Sequence, residues 1–181
     1  MNHELNDQEL FRRQSLATMR EMGIEPYPAA EYVVNAHVDE VKANFNDEEK
    51  REVSMAGRLM SRRIMGKASF AELKDSTGRI QLYISRDEIC PDENKDLYNT
   101  VFKKLLDIGD FIGVKGYVFR TQTGEISIHV SELTVLSKAL RPLPIVKTDK
   151  DGNVHDAFED PELRFRQRYV DLVVNEGVKD I

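Results

Sequence analysis

The order of alternating and helical segments constrains the fold of this chain more than any other feature. Apolar residues alternate with polar ones in five segments, at about 52–65, 68–75, 79–86, 110–120 and 125–136. Between the third and the fourth, apolar residues recur at helical spacing from Leu97 through Val101 and Leu105 to Ile108, and Gly109 follows as a stop. The pattern therefore predicts three strands, one helix and two more strands.

This order is typical of the five-stranded Greek-key barrel called the OB-fold, in which the helix plugs one end. Gly57 lies near the middle of the first strand, where it predicts a sharp coil or a bulge. Turns are expected at residues 75–78 and 121–124, each ending in a glycine that can take positive φ. An SH3-like barrel or a mixed α+β sheet stays open, although neither expects a long helix between the third and fourth strands.

A helix is predicted before the barrel, over residues 6–22. Asn6 is its cap, Glu9 is the capping-box partner three residues later, and Gly23 ends it. Its arginines (Arg12, Arg13 and Arg20) are interpreted as a solvated charged face rather than as phosphate contacts. A short helical turn is expected near residues 37–43. We therefore divide the chain into an N-terminal helical extension (1–51), an OB-fold domain (52–140) and a C-terminal part (141–181).

The C-terminal part begins as a polar stretch and ends in a helix. Some positions of a calcium-binding loop are matched by Asp149, Asp151, Asn153 and Asp160, but Val154 occupies the place where such a loop needs glycine. We therefore predict a turn-rich linker and no metal site. The last helix begins at Asp160 and carries an apolar stripe (Phe165, Tyr169, Leu172 and Val173). Because nothing follows that could cover this stripe, a further domain is expected to be missing.

Composition narrows the class of protein. Apolar residues make up 40% of the chain and charged residues 32%, which suits a globular chain with its own core. Its single cysteine, Cys90, permits no internal disulfide, as expected in a reducing compartment. No signal peptide and no apolar run long enough to cross a bilayer are visible, so a cytoplasmic protein without a membrane partner is expected.

One stretch departs from the acidic character of the chain. The formal net charge is -6, yet residues 53–70 contain four cations and no acid. These cations are Arg58, Arg62, Arg63 and Lys67. A cationic stretch on an anionic protein indicates a surface for polyanions. The candidate phosphate contacts are Arg58, Arg62 and Lys67 from this stretch, and Arg79 beyond it.

Strand parity places two aromatic rings on the same outer surface. If Ala71 and Leu73 face the core, Phe70 faces outward, and the next strand likewise turns Gln81 and Tyr83 outward. Rings that can stack, beside a hydrogen-bonding amide and positive charge, are the groups that recognise unpaired bases. The alternative is that Phe70 packs beneath a neighbouring loop or helix.

Catalytic motifs are missing from the sequence: it has no phosphate-binding glycine loop, HExxH, CxxC pair or GxSxG. Its four histidines are scattered, and His129 has outward parity on the last strand. The residues alone therefore predict a single-stranded nucleic-acid-binding barrel without an active site. A general module of replication or repair and a protein-interaction barrel remain alternatives.

Several motifs together resemble bacterial lysyl-tRNA synthetases of class II. They are RRIMGKASF, GRIQLY, TQTGE, KALRPLP and RQRYVDL, and the resemblance covers nearly the whole chain. It implies that the barrel binds the uridine-rich anticodon of lysine tRNA. Phe70 is implied to stack on an anticodon uridine, Arg63 and Gln81 to hydrogen-bond that base, and Glu125 to contact the wobble base.

The same resemblance implies what the whole enzyme does. Family members join lysine to its tRNA with ATP and magnesium, and they are homodimers. The motifs of their catalytic domain would lie beyond the last helix of this chain, so no cofactor and no aminoacylation are expected of this piece alone. We expect the piece to be monomeric.

Overall fold

A computed structural model of the protein describes residues 4–144, 147–148, 154–155, 158–175 and 177–178. The chain divides into two compact units, residues 1–141 and 142–181. The elements of the first unit are α1 (Asp7–Glu21), α2 (Val38–Ala43), β1 (Glu52–Met65), β2 (Ala68–Lys74), β3 (Arg79–Ser85), α3 (Arg86–Ile89), the plug helix (Leu97–Leu105), β4 (Phe111–Arg120) and β5 (Ile126–Ser137). Each predicted strand is present, with bounds that differ from the prediction by one residue at most.

The five strands close into a barrel in the order β1-β2-β3-β5-β4. All neighbours are antiparallel except β3 and β5, which run parallel. This is the strand order of the OB-fold, and the prediction of that fold is confirmed. An SH3-like barrel and an open mixed sheet are excluded by the closure between β1 and β4 together with the parallel pair.

Parity along β2 and β3 follows the sequence prediction. Ala71, Leu73, Ile80, Leu82 and Ile84 are buried in the core, and the residues between them are partly exposed. Because side chains of a strand alternate between its two faces, the core needs only every second residue. The outer face of these two strands is thereby left for polar groups and rings.

Strand β1 bends between its partners β4 and β2. A Cβ atom at Gly57 would lie 2.5 Å from the carbonyl oxygen of Lys74, so the glycine allows the two backbones to approach closely. The register shift lies between Leu59 and Ser61, slightly beyond the position that the sequence predicted. After this bulge, Arg62 and Arg63 point to opposite sides of the strand.

The plug helix is wound as a π-helix, not as the expected α-helix. Leu106 N–H, for example, donates to the carbonyl of Val101, five residues earlier. Tyr98 and Phe102 are buried in the core beside Val101, and the Tyr98 hydroxyl lies 2.7 Å from Ser69 Oγ. Sequence periodicity had assigned the buried face to Leu97, Val101, Leu105 and Ile108, and it missed the two large rings.

Helix α1 is attached to the barrel by a buried arginine. Asn6 and Glu9 form the predicted capping box. Arg12 donates to the carbonyl oxygens of Ile108 at 2.9 Å and Ala139 at 3.0 Å. The prediction of a solvated face was therefore wrong for Arg12, whose hydrogen bonds satisfy the carbonyls just before β4 and just after β5, at one end of this antiparallel pair.

Helix α2 is attached through the β2–β3 turn. The Asp75 carboxylate accepts from the backbone N–H of Val38 at 2.9 Å, and also from those of Thr77 and Gly78. The hydrogen bonds that the Asp75 carboxylate accepts therefore stabilise this turn, and Gly78 does not have a positive φ there. In the second turn Gly124 has φ 91°, as the sequence predicted.

The second unit contains the hairpin β6 (Lys147–Thr148) and β7 (Val154–His155), and helices α4 (Pro161–Arg166) and α5 (Arg168–Val174). Asp160 caps α4 by accepting from Leu163 N–H at 2.8 Å. The predicted single helix is broken at Gln167, and Phe165 on its apolar stripe is 86% exposed. Asp149, Asp151 and Asn153 lie outside the described residues.

Candidate nucleic-acid interface

An open cavity of about 990 Å³ lies on the outer face of the barrel. Its lining includes Arg63 from β1, Phe70 from β2, Gln81 from β3 and Glu125 from the β4–β5 turn. Four residues that are far apart in the sequence therefore surround one space. The barrel brings them together because each is on an outward position of its own strand or turn.

Strand register aligns outward side chains in one row across the sheet. Arg63 pairs with Phe70, Phe70 with Tyr83, Tyr83 with His129, and His129 with Tyr117. The rings are in contact: Phe70 and Tyr83 have centroids 5.4 Å apart, and His129 stacks on Tyr117 at 4.8 Å. A cation at one end and four rings after it form a surface on which planar bases can stack.

Phe70 is half-buried, because one side of its ring packs against Tyr83 while the residue lines the open cavity. The ring is therefore held in place by a neighbour on the same face and is available to a ligand. Packing beneath a loop or helix, the alternative drawn from the sequence, is not its environment. The same arrangement fixes Gln81 two residues before Tyr83, so a base on Phe70 would have an amide beside it.

Both carboxylates of the cavity lining lie beside a cation. The Arg79 guanidinium lies 3.0 Å from Glu72, and Lys42 Nζ lies 4.0 Å from Glu125 Oε1. Lys42 belongs to α2, so the N-terminal extension contributes a cation to the barrel's cavity. A carboxylate close to a polyanion needs such a neighbour, because otherwise it would repel the phosphates.

The turn that carries Glu125 is held by its own hydrogen bonds. Thr121 N–H donates to the Glu125 carbonyl at 2.9 Å, and Glu125 N–H donates to Thr121 Oγ1 at 3.1 Å. Positive φ at Gly124 lets the chain reverse between them. The backbone of Glu125 is fixed while its side chain stays exposed, which suits a group that accepts a hydrogen bond from a ligand.

Two of the four candidate phosphate contacts are engaged within the domain. Arg58 donates to Gly109 O at 2.8 Å and lies over the Phe111 ring. Arg62 donates to the carbonyls of Leu106, at 2.8 Å, and of Phe102, at the end of the plug helix. Burial lowers the pKa of both guanidinium groups, and Asp110 counteracts that shift. Arg58 and Arg62 thus hold the plug helix and its following turn against β1.

The other two candidates face outward. Lys67 is exposed in the β1–β2 turn, where Gly66 has φ 71°. Arg79 is half-buried at the rim of the cavity, in its ion pair with Glu72. The fold therefore separates these cations into two sets. Arg58 and Arg62 form the inner pair, and the outer set consists of Arg63, Lys67 and Arg79.

Sequence reasoning missed three contributors to the site. Tyr117 and Phe119 alternate outward along β4 and meet His129 at the cavity wall. The alternation in GYVFR could have signalled them, and the outward parity of His129 was visible without a role. Lys42 had no signal, because its position depends on how α2 packs on the β2–β3 turn.

Among the residues that the structure describes, no group of three or more His, Cys, Asp or Glu side chains could hold a metal ion. None of the described helices is both long enough and apolar enough to cross a membrane.

Comparison with known proteins agrees with the fold. A family model described as an OB-fold nucleic acid binding domain matches residues 53–136. Over 98% of its length, the chain is 68% identical to a lysine–tRNA ligase of Porphyromonas gingivalis, covering 31% of that protein. Lysine–tRNA ligases of Azobacteroides pseudotrichonymphae and Christiangramia forsetii are 67% and 58% identical over 98% of the chain, which covers 35% and 31% of them. The chain thus spans about a third of the length of these curated relatives.

Proposed function

The chain is a homologue of lysine–tRNA ligases with an OB-fold nucleic acid binding domain at residues 53–136, and from this premise we propose that its barrel binds the anticodon loop of lysine tRNA. One observation supports the proposal above all others. Arg63, Phe70, Gln81 and Glu125 surround a single open cavity beside a row of rings. Each brings a different group that an unpaired base can use.

The proposed recognition has a stacking part and a polar part. A uracil stacks on Phe70, whose ring is already held by Tyr83, so little side-chain freedom is lost on binding. Arg63 is the register partner of Phe70, and Gln81 lines the same cavity, so both can hydrogen-bond the edge of that base. Stacking supplies affinity for any base, whereas the two polar groups distinguish one base from another.

Glu125 gives the second polar contact. Its carboxylate accepts the N3–H of a uracil at the wobble position, and a base without that donor would leave the acceptor unsatisfied. Lys42, 4.0 Å away, offsets the repulsion between this carboxylate and the RNA phosphates. Lys67 and Arg79 complete the phosphate contacts from the rim. Contacts of Arg58 and Arg62 with phosphate stay predictions. Both guanidinium groups already donate to backbone carbonyls, so only their remaining N–H groups could reach a phosphate.

The whole protein is proposed to join lysine to its tRNA with ATP and magnesium, as a homodimer in the cytoplasm. Residues 1–51 would act as a helical extension, 52–140 as the anticodon-binding domain, and 141–181 as a connection toward catalytic residues. In this arrangement, the barrel selects the tRNA and performs no chemistry itself.

The test is a titration of the 181-residue chain with stem-loop RNA. One RNA has the uridine-rich anticodon of lysine tRNA, and its matched control has those uridines replaced by cytidine. Tighter binding of the uridine loop, weakened as salt rises, is expected. Equal affinities would refute base recognition, and equally tight binding of an oligo-dT competitor would favour a general single-strand-binding module instead.

A further inference from the structure

The cavity lining contains a second phenylalanine, to which the proposed anticodon contacts give no role. Phe119, on β4, lines the same space as Phe70, on β2. Strands β3 and β5 separate them, and Tyr83 on β3 contacts both rings, with centroid distances of 5.4 Å to Phe70 and 6.3 Å to Phe119. A single base on Phe70 would meet Tyr83 before it reached Phe119, so the two phenylalanines offer separate stacking surfaces.

Neighbouring rings hold Phe119 in one orientation. It meets Tyr83 edge-to-face at 6.3 Å, His129 at 5.6 Å and Tyr117 at 6.2 Å. Edge-to-face contacts of this kind are favourable for aromatic pairs and restrict the ring. Phe119 is nonetheless only half-buried. An aromatic ring with three fixed ring neighbours and one side on an open cavity is preorganised for a planar ligand.

Polar groups lie close to this second ring. The turn that starts two residues after Phe119 brings Thr121, Thr123 and Glu125 to the cavity lining, and Lys42 lies there as well. Thr121 and Thr123 hydroxyls are 3.0 Å apart, so each already has a partner and a fixed position. A base on Phe119 would therefore have hydroxyl and carboxylate acceptors at its edge and an ammonium group near its phosphate.

Resting on the proposed function, we propose that Phe119 stacks a second unpaired base of the same RNA loop, distinct from the base on Phe70. The cavity then holds two bases, one on each side of Tyr83, and Phe119 supports the base whose edge meets Glu125. Each phenylalanine contributes affinity by stacking one base. Because the two rings have fixed positions, they also set the spacing between the two stacked nucleotides.

The experiment pairs ring removal with base removal. Phe70→Ala, Phe119→Ala and the control Phe111→Ala are titrated with the uridine stem-loop and with versions that are abasic at one loop position each. Phe111 is a suitable control because it is on the same strand as Phe119, is also partly exposed, and does not line the cavity. Phe119→Leu keeps apolar volume without an aromatic ring, in case the alanine variant fails to fold.

We expect Phe119→Ala to weaken binding of the intact loop roughly five- to hundredfold, the effect of losing one stacked base. The loss should disappear for one abasic position, and that position should differ from the one that abolishes the effect of Phe70→Ala. Three outcomes would overturn the second site. In the first, Phe119→Ala weakens binding equally on every abasic loop; in the second, neither Phe119 variant weakens binding of the intact loop. In the third, the same abasic position removes the effect of both Phe70→Ala and Phe119→Ala. If Phe70→Ala also has no effect, the proposed function fails with it.

Discussion

Replacing Lys138 is expected to lower the free energy of unfolding more than replacing an exposed lysine. Its ammonium group is buried inside the first unit. Its side chain is 0% exposed, and its Nζ lies 2.6 Å from Asp107 Oδ2 and 2.8 Å from Asp110 Oδ2. Asp110 is itself 0% exposed and also accepts from the N–H groups of Asp107 and Ala139. Lys138→Met keeps the length of the side chain and removes its charge.

The expected magnitude follows from the unpaired carboxylate that remains. Removing one partner of a buried ion pair costs about 3–5 kcal/mol, because the other charge stays buried without compensation. For a protein of this size, a loss of that order lowers the melting temperature by roughly 6–20 °C. The matched control is Lys115→Met, since Lys115 pairs with Glu132 at 2.9 Å but its side chain is 51% exposed. A solvent-exposed pair of that kind should contribute far less than the buried one, because water screens its charges.

The effect should also depend on pH. Burial raises the pKa of Asp110, and Lys138 opposes that shift through charge and a hydrogen bond. Without Lys138 the pKa of this carboxyl rises further. A raised pKa in the folded state means that stability is lost as pH rises through it, so Lys138→Met should cost less at acidic pH than at neutral pH.

The assay is thermal and denaturant unfolding followed by circular dichroism. The free energy of unfolding is compared among the parent chain, the two variants and Lys138→Met combined with Asp110→Asn, at about pH 5 and about pH 7. The double variant should recover part of the loss, because the buried charge is gone. Equal losses for Lys138→Met and Lys115→Met would refute the importance of burial.

Three further perturbations test other parts of the structure. Burial alone would raise the pKa of Asp75, but hydrogen bonds from Val38, Thr77 and Gly78 lower it below its ordinary value. The stabilisation that the ionised carboxylate gives the folded state is therefore present near pH 7, and it is lost as pH falls through that lowered pKa. Asp75→Asn should therefore reduce the free energy of unfolding by roughly 1–3 kcal/mol near pH 7 and by less near pH 3, and a constant loss would contradict this. Gly57→Ala should destabilise the chain by roughly 1–3 kcal/mol, measured by unfolding, because its Cβ would lie 2.5 Å from a carbonyl oxygen, and an unchanged free energy of unfolding would contradict this. Lys67→Met should weaken RNA binding and reduce the slope of log affinity against log salt by about 1, and an unchanged slope would argue against phosphate contact.

Much of the fold could be predicted because it is encoded in short stretches. Alternation places Ala71 and Leu73 inside and Phe70 outside whatever the partner strands are. The capping box of Asn6 and Glu9 needs only residues three apart. The order of five strands and one helix then left few ways to close a sheet, so the OB-fold followed from local patterns and general rules of topology.

The tertiary structure decided which of these local features meet. Cross-strand register aligned His129 and Tyr117 with Phe70, and no single stretch contains that information. Burial of Tyr98 involves its hydroxyl partner Ser69 on β2, and no pattern within the plug helix contains that contact.

Charged residues show the same division between local sequence and fold. Arg63 and Arg62 are adjacent in the chain, yet one lines the cavity and the other holds a helix end. Sequence by itself determined what each segment could form, because backbone preference and parity act between near neighbours. The folded chain determined which charges lose water and which rings touch, because burial depends on residues that are distant along the chain.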